Sequence, residues 1–332
     1  MSARSLCFVV TLLSCWPLDA RDWAKYPAVI ERGPASTTLF ALGDIHGDYD
    51  RMVKLLAGAQ IIPEKPANPK DVRWSAGTSV LVVTGDMIDK GPHSVDVLRL
   101  LSALRAAAPL QGGQVILLAG NHEAEFLAEP GAKKAADFLA DLKRYGVSPA
   151  DVAACKGGVG EMLCSLPFAA RVGDWFFSHG GNTDGRTVAR LAADLRDAVD
   201  KEGYATPQLT GDNSILEARL GDGKKWFAGA DEHGMLAADA AALGVKHIVQ
   251  GHQHNDVKFA DGVERHSGEM FQRWGLLFLI DVGMSEGVGD SHGALLRVAA
   301  GQAVAVCGNG KETLLWGGVA KMDSGRAAPC GK

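Results

Sequence analysis

The stretch VILLAGNHEAEF, residues 115–126, begins with an apolar run that stops at Gly120 and is followed at once by Asn121, His122 and Glu123. A short apolar run of this kind is typical of a buried strand, and glycine lets the backbone turn sharply where the strand ends. The sequence therefore predicts an amide, an imidazole and a carboxylate at the mouth of a strand. The same arrangement recurs elsewhere in the chain.

Five predicted strands end in this way. TLFAL (38–42) runs into GDIHGD, SVLVVT (79–84) into GDMIDKGP, QVILLA (114–119) into GNHE, DWFF (174–177) into SHGG, and VKHIV (245–249) into QGHQH. In an α/β sheet, the loops at the carboxyl ends of the strands gather at one edge, where ligands bind. The pattern therefore predicts one site that collects Asp44, His46, Asp86, Asn121, His179, His252 and His254.

Longer segments with helical spacing separate the apolar runs, of which a sixth is GLLFLI at 275–280. The helical segments are 94–107, with Ser94 as the expected N-cap, 185–200 and 234–243. Alternation of strands and helices indicates an α/β fold. Residues 201–232 contain few apolar runs, and we expect them to form an irregular segment that overhangs the site.

The N-terminus has the pattern of an export signal. Arg4 precedes an apolar run at 6–16 that is too short to span a bilayer, and LDA at 18–20 suits signal peptidase. We expect residues 1–20 to be a signal peptide cleaved near Ala20, which makes the protein periplasmic or secreted, without a lipid on Cys15 or a transmembrane helix in the mature chain. The alternative is a short membrane anchor that is retained.

The remaining cysteines are Cys155, Cys164, Cys307 and Cys330. Four cysteines in an exported protein allow three disulfide pairings, and short loops favour Cys155–Cys164 and Cys307–Cys330. Free buried thiols are the alternative. None of the four shows Cys-x-x-Cys spacing, so the sequence does not indicate a zinc site built from thiolates.

The predicted site offers carboxylate, amide and imidazole groups, which suit manganese, iron or zinc. Seven such groups exceed the needs of one tetrahedral zinc and suit two ions that share a bridging carboxylate.

The chain has 332 residues, a net charge of −5 and 47% hydrophobic residues. This composition supports a large core and does not indicate a nucleic-acid partner.

The ordered set GDIHGD, GDMIDKGP, GNHE, HGG and GHQH, over roughly residues 38–285, resembles the calcineurin-like metallophosphoesterases. Within them it is similar to the phosphoprotein-phosphatase branch, especially its bacterial, Shewanella-like members. The resemblance implies an α/β fold of four layers, in which two facing mixed β-sheets are flanked by helices. The expected organisation is a signal peptide at 1–20, an N-terminal extension at 21–37, one catalytic domain at 38–320 and a C-terminal tail at 321–332.

The resemblance also implies a ligand set for each of two metal ions: Asp44, His46, Asp86 and His254 for the first, and Asp86, Asn121, His179 and His252 for the second. Asp86 would bridge the two ions. His122 would donate a proton to the leaving oxygen, and Asp89 would orient its imidazole. A carboxylate behind an imidazole fixes the tautomer and raises the pKa, so that the ring can act as an acid.

Two positions depart from that branch, which has arginine where this chain has Lys90 and Ala119. Lysine offers phosphate a point charge, whereas arginine offers a bidentate fork. Arg219 lies where Shewanella-like members carry a phosphate-binding arginine. We therefore expect Lys90 and Arg219 to bind substrate. Arg265 and His266 are weaker candidates for the pocket wall, and His247 is expected in the core.

These features indicate a dinuclear metal-dependent phosphomonoesterase, similar to protein phosphatases, in which a metal-bound hydroxide attacks phosphorus in line. The substrate would be a phosphorylated small molecule or a phosphoprotein, and manganese is the expected metal, with iron or zinc as alternatives. The nearest alternative function is hydrolysis of nucleotides or dinucleoside polyphosphates, or of phosphodiesters, on the same metal site. A catalytically silent binding module that keeps the fold is a further alternative.

Overall fold

The structure, a computed structural model, describes residues 21–35, 38–220, 226, 231–317 and 325–331. The predicted signal peptide lies outside the described residues. The strands are β1 Val29–Arg32, β2 Leu39–Leu42, β3 Val80–Val83, β4 Gln114–Leu117, β5 Ala169–Val172, β6 Trp175–Ser178, β7 His247–Gln250, β8 Val257–Lys258, β9 Glu264–Arg265, β10 Glu269–Arg273, β11 Leu277–Leu279, β12 Ala294–Ala299, β13 Gln302–Cys307, β14 Glu312–Gly317 and β15 Arg326–Pro329.

Helices lie between many of these strands. They are α1 Tyr49–Gly58, α2 Ser94–Ala107, α3 Asn121–Ala128, α4 Ala136–Arg144, α5 Pro149–Ala153, α6 Gly157–Cys164, α7 Val188–Glu202, α8 Pro207–Thr210 and α9 Glu232–Leu243. No helix in the described part of the chain is long and apolar enough to cross a membrane.

Two mixed sheets form the centre of the molecule. The larger has the strand order β1-β5-β6-β7-β11-β10-β15, and the smaller has the order β14-β13-β12-β2-β3-β4. Strands β6, β7 and β11 run parallel to one another in the larger sheet, and β2, β3 and β4 do so in the smaller. Each sheet therefore has a parallel centre whose loops leave from one edge.

Alternate residues of each central strand face different layers, as the period of two in a strand requires. In β2, Leu39 and Ala41 belong to a core cluster that also contains Phe177 of the larger sheet. Phe40 and Leu42 belong instead to the cluster that includes the helices. Burial on both faces explains why these strands read as continuous apolar runs. The predicted four-layer fold is confirmed.

The six strands expected from apolar runs all form, and the three expected helices appear as α2, α7 and α9. The expected N-cap role of Ser94 was wrong, because Ser94 is the first residue of α2 and His93 occupies the cap position. The Ser94 hydroxyl instead accepts a hydrogen bond from the backbone N–H of Asp89 at 3.1 Å. It therefore fastens the loop after β3 rather than the helix end.

The segments at both ends of the described chain join the larger sheet as its edge strands. β1 lies within residues 21–37 and pairs with β5, and β15 lies within residues 321–332 and pairs with β10.

Disulfides connect Cys155 to Cys164 and Cys307 to Cys330, so both favoured pairings are confirmed. Because Cys307 ends β13 and Cys330 follows β15, the second disulfide joins the two sheets.

Candidate metal centre

The loops after the parallel strands of both sheets meet over one cavity of about 290 Å³. Most of the residues that the sequence singled out line it, namely Asp44, His46, Asp86, Lys90, Asn121, His122, Arg219, His252 and His254. His179 and Asp89 are buried beside it. The structure thus brings together side chains that are up to about two hundred positions apart in the chain.

Two glycines allow the loops to approach this closely. A Cβ atom on Gly120 would lie 2.2 Å from Oδ1 of Asp86, and a Cβ on Gly251 would lie 2.3 Å from Oδ1 of Asp44. No side chain fits at either distance, since the carboxylates lie directly against the backbone of the neighbouring loop. Glycine at the strand ends is therefore required by the packing of the acidic groups.

Several site residues adopt the left-handed backbone conformation that non-glycine residues avoid. The φ angles are +50° at His46, +50° at Asp86, +61° at Asp89, +57° at Lys90 and +60° at His252. Each such residue costs about 1 kcal/mol or more, and such strain is typical of functional sites. The packing of the surrounding fold therefore holds these residues in a strained backbone conformation, and this strain lowers the stability of the protein.

Two groups of side chains in the described part of the chain have metal-binding atoms close enough to hold an ion. One consists of His46, Asp86 and His122, and the other of Asp86, His179 and His252. Oδ2 of Asp86 lies 3.5 Å from Nε2 of His46 and 3.3 Å from Nε2 of His179. Because Asp86 belongs to both groups, it lies where a carboxylate that bridges two ions would lie.

Backbone carbonyls orient two of the imidazoles. Nδ1 of His46 lies 3.1 Å from the carbonyl oxygen of Ile88, and Nδ1 of His179 lies 3.0 Å from that of Thr84. In the neutral form of such a ring, the nitrogen that is not bonded to the carbonyl is unprotonated and can bind a metal. In both rings this second nitrogen is Nε2, which faces Asp86. Without a metal the raised pKa of His179 keeps a proton on this ring, and a bound metal would displace that proton.

Asp44 and Asn121 extend the cluster. Both carboxylate oxygens of Asp44 lie 3.1 Å from the backbone N–H of His252, and Oδ1 lies 4.0 Å from Nδ1 of His179. Oδ1 of Asn121 lies 3.0 Å from Nε2 of His179. The donor set of carboxylate, amide oxygen and imidazole fits hard or borderline divalent ions such as manganese.

The electrostatics of the cluster favour a cation. Burial alone would lower the pKa of His179, but the carboxylates of Asp86 and Asp44 raise it to about 10. Burial lowers the pKa of His46, and burial together with His179 and Arg219 lowers that of His252. These two rings are therefore neutral at ordinary pH, which is the form in which imidazole binds metal.

His122 and Asp89 form a hydrogen-bonded pair at one side of the cavity. Nδ1 of His122 lies 3.2 Å from Oδ2 of Asp89, and the other oxygen of Asp89 accepts from the backbone N–H of Phe138 at 3.0 Å. Burial alone would lower the pKa of His122, but Asp86 and Asp89 outweigh it and raise the pKa. With Nδ1 engaged, Nε2 is the atom that can give a proton to a substrate.

The cavity also contains the residues expected to contact substrate. Lys90 and Arg219 line its wall and are partly buried. His254 lines it as well, although among the described residues it belongs to neither metal-binding group. The suggestion that Arg265 and His266 line the pocket was wrong: Arg265 is fully buried and binds backbone carbonyls, and His266 is exposed outside the cavity wall.

The structure adds side chains that the motifs did not assign. Glu217 and Lys134 line the cavity. Glu217 lies in the segment 201–232 that was expected to be irregular and to overhang the site. Residues 221–225 and 227–230 lie outside the described residues, and the rest contains the end of α7 and all of α8, but Glu217 and Arg219 do reach the cavity. Lys134 lies in a short 3-10 helix, Lys133–Ala135, between α3 and α4 and forms an ion pair with Glu125 at 2.5 Å. Neither residue follows a strand, and no pattern in the sequence marks either of them.

Glu123, in the stretch quoted first, holds two of the loops together. Its buried carboxylate accepts hydrogen bonds from the backbone N–H groups of Gly120 at 2.7 Å, Asp86 at 2.9 Å, Met87 at 2.8 Å and Ile88 at 3.2 Å. One side chain thus satisfies the donors of the loops after β3 and β4. Its position explains why a glutamate follows the histidine so closely in the sequence.

We expect Glu123→Gln to destabilise the protein, because the amide NH₂ would face N–H donors that have no other acceptor. An unsatisfied buried donor costs about 1–3 kcal/mol, which lowers the melting temperature by roughly 5 °C in a chain of this size. Calorimetric melting curves test this, with Glu129→Gln, an exposed position just after the same helix, as the control. Equal melting temperatures in the two variants would contradict the assigned role.

The family comparison agrees with this geometry. The model of the family described as Calcineurin-like phosphoesterase matches residues 37–256, which is more than half of the chain. The chain therefore belongs to the calcineurin-like phosphoesterase family, whose members are dinuclear metal-dependent hydrolases of phosphoric esters.

Two curated relatives bear on the kind of substrate. Shewanella-like protein phosphatase 2 of Arabidopsis thaliana is 25% identical over 316 residues, which cover 78% of this chain and 74% of that protein. The symmetrical bis(5′-nucleosyl)-tetraphosphatase of an Enterobacter species is 35% identical over 89 residues, which cover 27% of this chain and 24% of that protein. In the short matches, of which the tetraphosphatase is one, the chain spans about a quarter of the relative's length.

A solved structure shows the same fold. The cold-active protein-tyrosine phosphatase of a psychrophilic Shewanella species superposes with a TM-score of 0.59 at 22% identity, covering 87% of this chain and 82% of that one. At this level of identity the likeness concerns the fold alone.

Proposed function

We propose that this protein is a dinuclear metal-dependent phosphomonoesterase of the protein-phosphatase type. The observation that carries the proposal is the position of Asp86, which belongs to two metal-binding groups in one cavity. The His122–Asp89 pair lies at the same cavity and supplies a proton donor. Membership of a phosphoesterase family supports the reaction class.

Each group in the cavity has a distinct role in this proposal. Two divalent ions, when bound, would supply an activated water and neutralise the phosphoryl oxygens. Lys90 and Arg219 hold the phosphoryl group from the cavity wall by charge-assisted hydrogen bonds. Nε2 of His122 gives its proton to the leaving oxygen, while Asp89 fixes the ring.

The length of the phosphatase match supports a phosphomonoester as the substrate. The Shewanella-like phosphatase aligns over most of this chain, including the segment that carries Arg219, whereas the tetraphosphatase aligns over about a quarter of it. The higher identity of the shorter match supports hydrolysis of dinucleoside polyphosphates as the second candidate. Lys90, where phosphoprotein phosphatases have arginine, also sets this chain apart from a typical member of that branch.

A substrate panel decides between the two. Purified protein in manganese would be assayed with an alkyl and an aryl phosphomonoester, a bis-aryl phosphodiester, diadenosine tetraphosphate and phosphoserine, phosphothreonine and phosphotyrosine peptides. We expect the highest kcat/KM on a monoester or a phosphopeptide. A higher value on diadenosine tetraphosphate would favour the second candidate, and no hydrolysis of any compound would refute both.

We expect two metal ions per chain in the fully active protein, and we propose manganese as the preferred ion. The donor groups have the hard and borderline character that manganese accepts, and Asp86 is placed to be shared by two ions. Elemental analysis together with activity after chelation and after readdition of manganese, iron or zinc tests this. One ion per chain at full activity would contradict the dinuclear assignment.

We also propose that the protein is exported and begins at about Arg21 after removal of residues 1–20. The apolar N-terminal segment supports this, and the two disulfides are of the kind that persist in oxidising compartments. Mass spectrometry of protein recovered from the periplasm or medium should show a chain that starts near Arg21. An intact Met1, or a lipid on Cys15, would contradict the proposal.

A further inference from the structure

A buried carboxylate that no motif assigned lies next to the candidate metal centre. Asp281 lies two residues after the end of β11 and is 1% exposed. Its Oδ2 accepts no hydrogen bond within the described part of the chain, and the cationic or polar group recorded next to it is Nδ1 of His254 at 3.5 Å. A buried carboxylate oxygen with so few partners is costly, so its retention requires a reason.

Asp281 is held in place by contacts to its backbone and to its side chain. The guanidinium of Arg265 donates a hydrogen bond to the carbonyl oxygen of Asp281. It also donates to the carbonyl oxygen of Asn255, the residue after His254, at 2.6 Å. The N–H of Gly283 donates to Oδ1 of Asp281 at 2.8 Å. Arg265 thus ties the segment that carries His254 to the segment that carries Asp281, and Oδ2 of Asp281 lies 3.5 Å from the imidazole.

The residues that follow β11 also pack against the residue that precedes Asp44. A Cβ atom on Gly43, the residue before Asp44, would lie 2.9 Å from the carbonyl oxygen of Ile280 and 3.1 Å from Cα of Asp281. The two sheets therefore touch at this point. Asp44 and His254 both line the cavity.

We propose that Asp281 is a positioning residue for His254. Its Oδ2 accepts the proton on Nδ1 and so leaves Nε2 unprotonated and turned toward the metal position shared with Asp44. A carboxylate behind a metal-binding histidine fixes the tautomer and the orientation of the ring. The inference rests on the proposed function, since it requires that the cavity binds metal ions.

Among the described residues His254 lies outside both compact metal-binding groups, but it lines the cavity. Its side chain is 25% exposed, whereas that of Asp281 is 1% exposed, so the imidazole needs a fixed partner to hold one orientation. The rival role for Asp281 is direct contact with the ion. The two roles differ in one respect: a positioning residue acts only while His254 is present.

Manganese titrations of the full-length chain by calorimetry separate the roles, with Asp281→Ala, Asp281→Asn, His254→Ala and the Asp281→Ala/His254→Ala double variant. We expect Asp281→Ala to weaken binding at one of two positions by about 10–100-fold, which is typical when an outer partner of a ligand is lost. Asp281→Asn should fall in between, because the amide oxygen can still accept from Nδ1. The double variant should bind no more weakly than His254→Ala alone.

A matched control is Asp141→Asn, which removes the charge of another buried carboxylate that binds a backbone N–H but lies outside the cavity wall. Circular dichroism of the metal-free chains shows whether each variant folds, and if Asp281→Ala does not, Asp281→Asn and its double variant with His254→Ala answer the same question. Wild-type affinity in Asp281→Asn and Asp281→Ala, or in His254→Ala, would overturn this inference alone. The inference would also be overturned if the double variant bound manganese clearly more weakly than His254→Ala. A wild-type chain that binds no manganese would overturn the proposed function as well.

Discussion

We expect Asp86→Asn to lower turnover by at least about 10³-fold, since ion-mediated stabilisation of the transition state is worth several kcal/mol and about 4 kcal/mol corresponds to that factor. The substitution keeps the shape of the side chain but removes the charge from the one carboxylate that both metal-binding groups share. Metal content should also fall, because an amide oxygen bridges two cations poorly.

The same substitution changes a second contact. Oδ1 of Asp86 accepts the backbone N–H of His122 at 3.0 Å, so the start of α3 depends on it. An amide rotamer that keeps its oxygen at this contact turns its NH₂ toward His46 and His179, where an ion would have to bind. The loss of metal and the loss of turnover should therefore appear together.

Turnover with saturating manganese, elemental analysis and circular dichroism measure these effects on one preparation. Asp50→Asn is the matched control, because Asp50 is exposed at the start of α1 and pairs with Lys65 on the surface. It should retain wild-type turnover and metal content. Near wild-type values for both quantities in Asp86→Asn would show that Asp86 is not a bridging ligand.

The central strands could be predicted because their signal is local. Each is a short apolar run that ends at a glycine or a polar residue, and burial on both faces makes the run continuous. The convergence of the loops then follows from the geometry of parallel strands alone. The left-handed backbone at residues such as His46 and His252 could not be predicted, since only the surrounding packing holds a non-glycine residue there.

The edge strands and the hairpins depend on weaker signals. β15, with the sequence RAAP, has no apolar run, and its pairing with β10 depends on a distant segment. One hairpin did carry a usable signal. Ala300 and Gly301, both with positive φ, form the two-residue turn between β12 and β13, and glycine is favoured in such turns.

The site shows the same division between local and distant information. Asp281 follows the apolar run 275–280 as directly as the other groups follow theirs, so the strand-end pattern could have identified it. Glu217 and Lys134 reach the cavity from segments without strands, and only the folded chain places them there. Motifs therefore identify groups fixed to the sheet edge, whereas the residues that shape the cavity mouth require the structure.

We expect His122→Asn to lower turnover by about 10²–10³ on substrates with a poor leaving group, because general acid catalysis is typically worth 10²–10⁴-fold. Metal content should stay at the wild-type level. The prediction follows from the hydrogen bond between Nδ1 and Asp89, which leaves Nε2 as the atom that faces the cavity. An acid matters most when the departing oxygen is strongly basic, so an alkyl phosphate should be affected more than a nitrophenyl phosphate.

Asp89→Asn should show a milder form of the same behaviour, with a diagnostic pH dependence. The carboxylate of Asp89 contributes to the raised pKa of His122. Removing it lowers that pKa, so the imidazole loses its proton at lower pH. The alkaline fall in turnover on the alkyl phosphate should therefore begin at lower pH in the variant than in the wild type, whereas an unchanged profile would argue against the pairing.

The main alternative role for His122 is that of a metal ligand, because its ring also belongs to the group with His46 and Asp86 that could hold an ion. A metal ligand would lose metal when replaced by asparagine, and a packing residue would lose the same factor on both esters or none. His266→Asn, an exposed position outside the cavity, controls for the general effect of removing an imidazole. Turnover on the alkyl and nitrophenyl esters, measured with metal content, therefore separates the three roles. Only an acid gives an unequal loss with both ions retained, since the proton is needed in proportion to the basicity of the leaving oxygen.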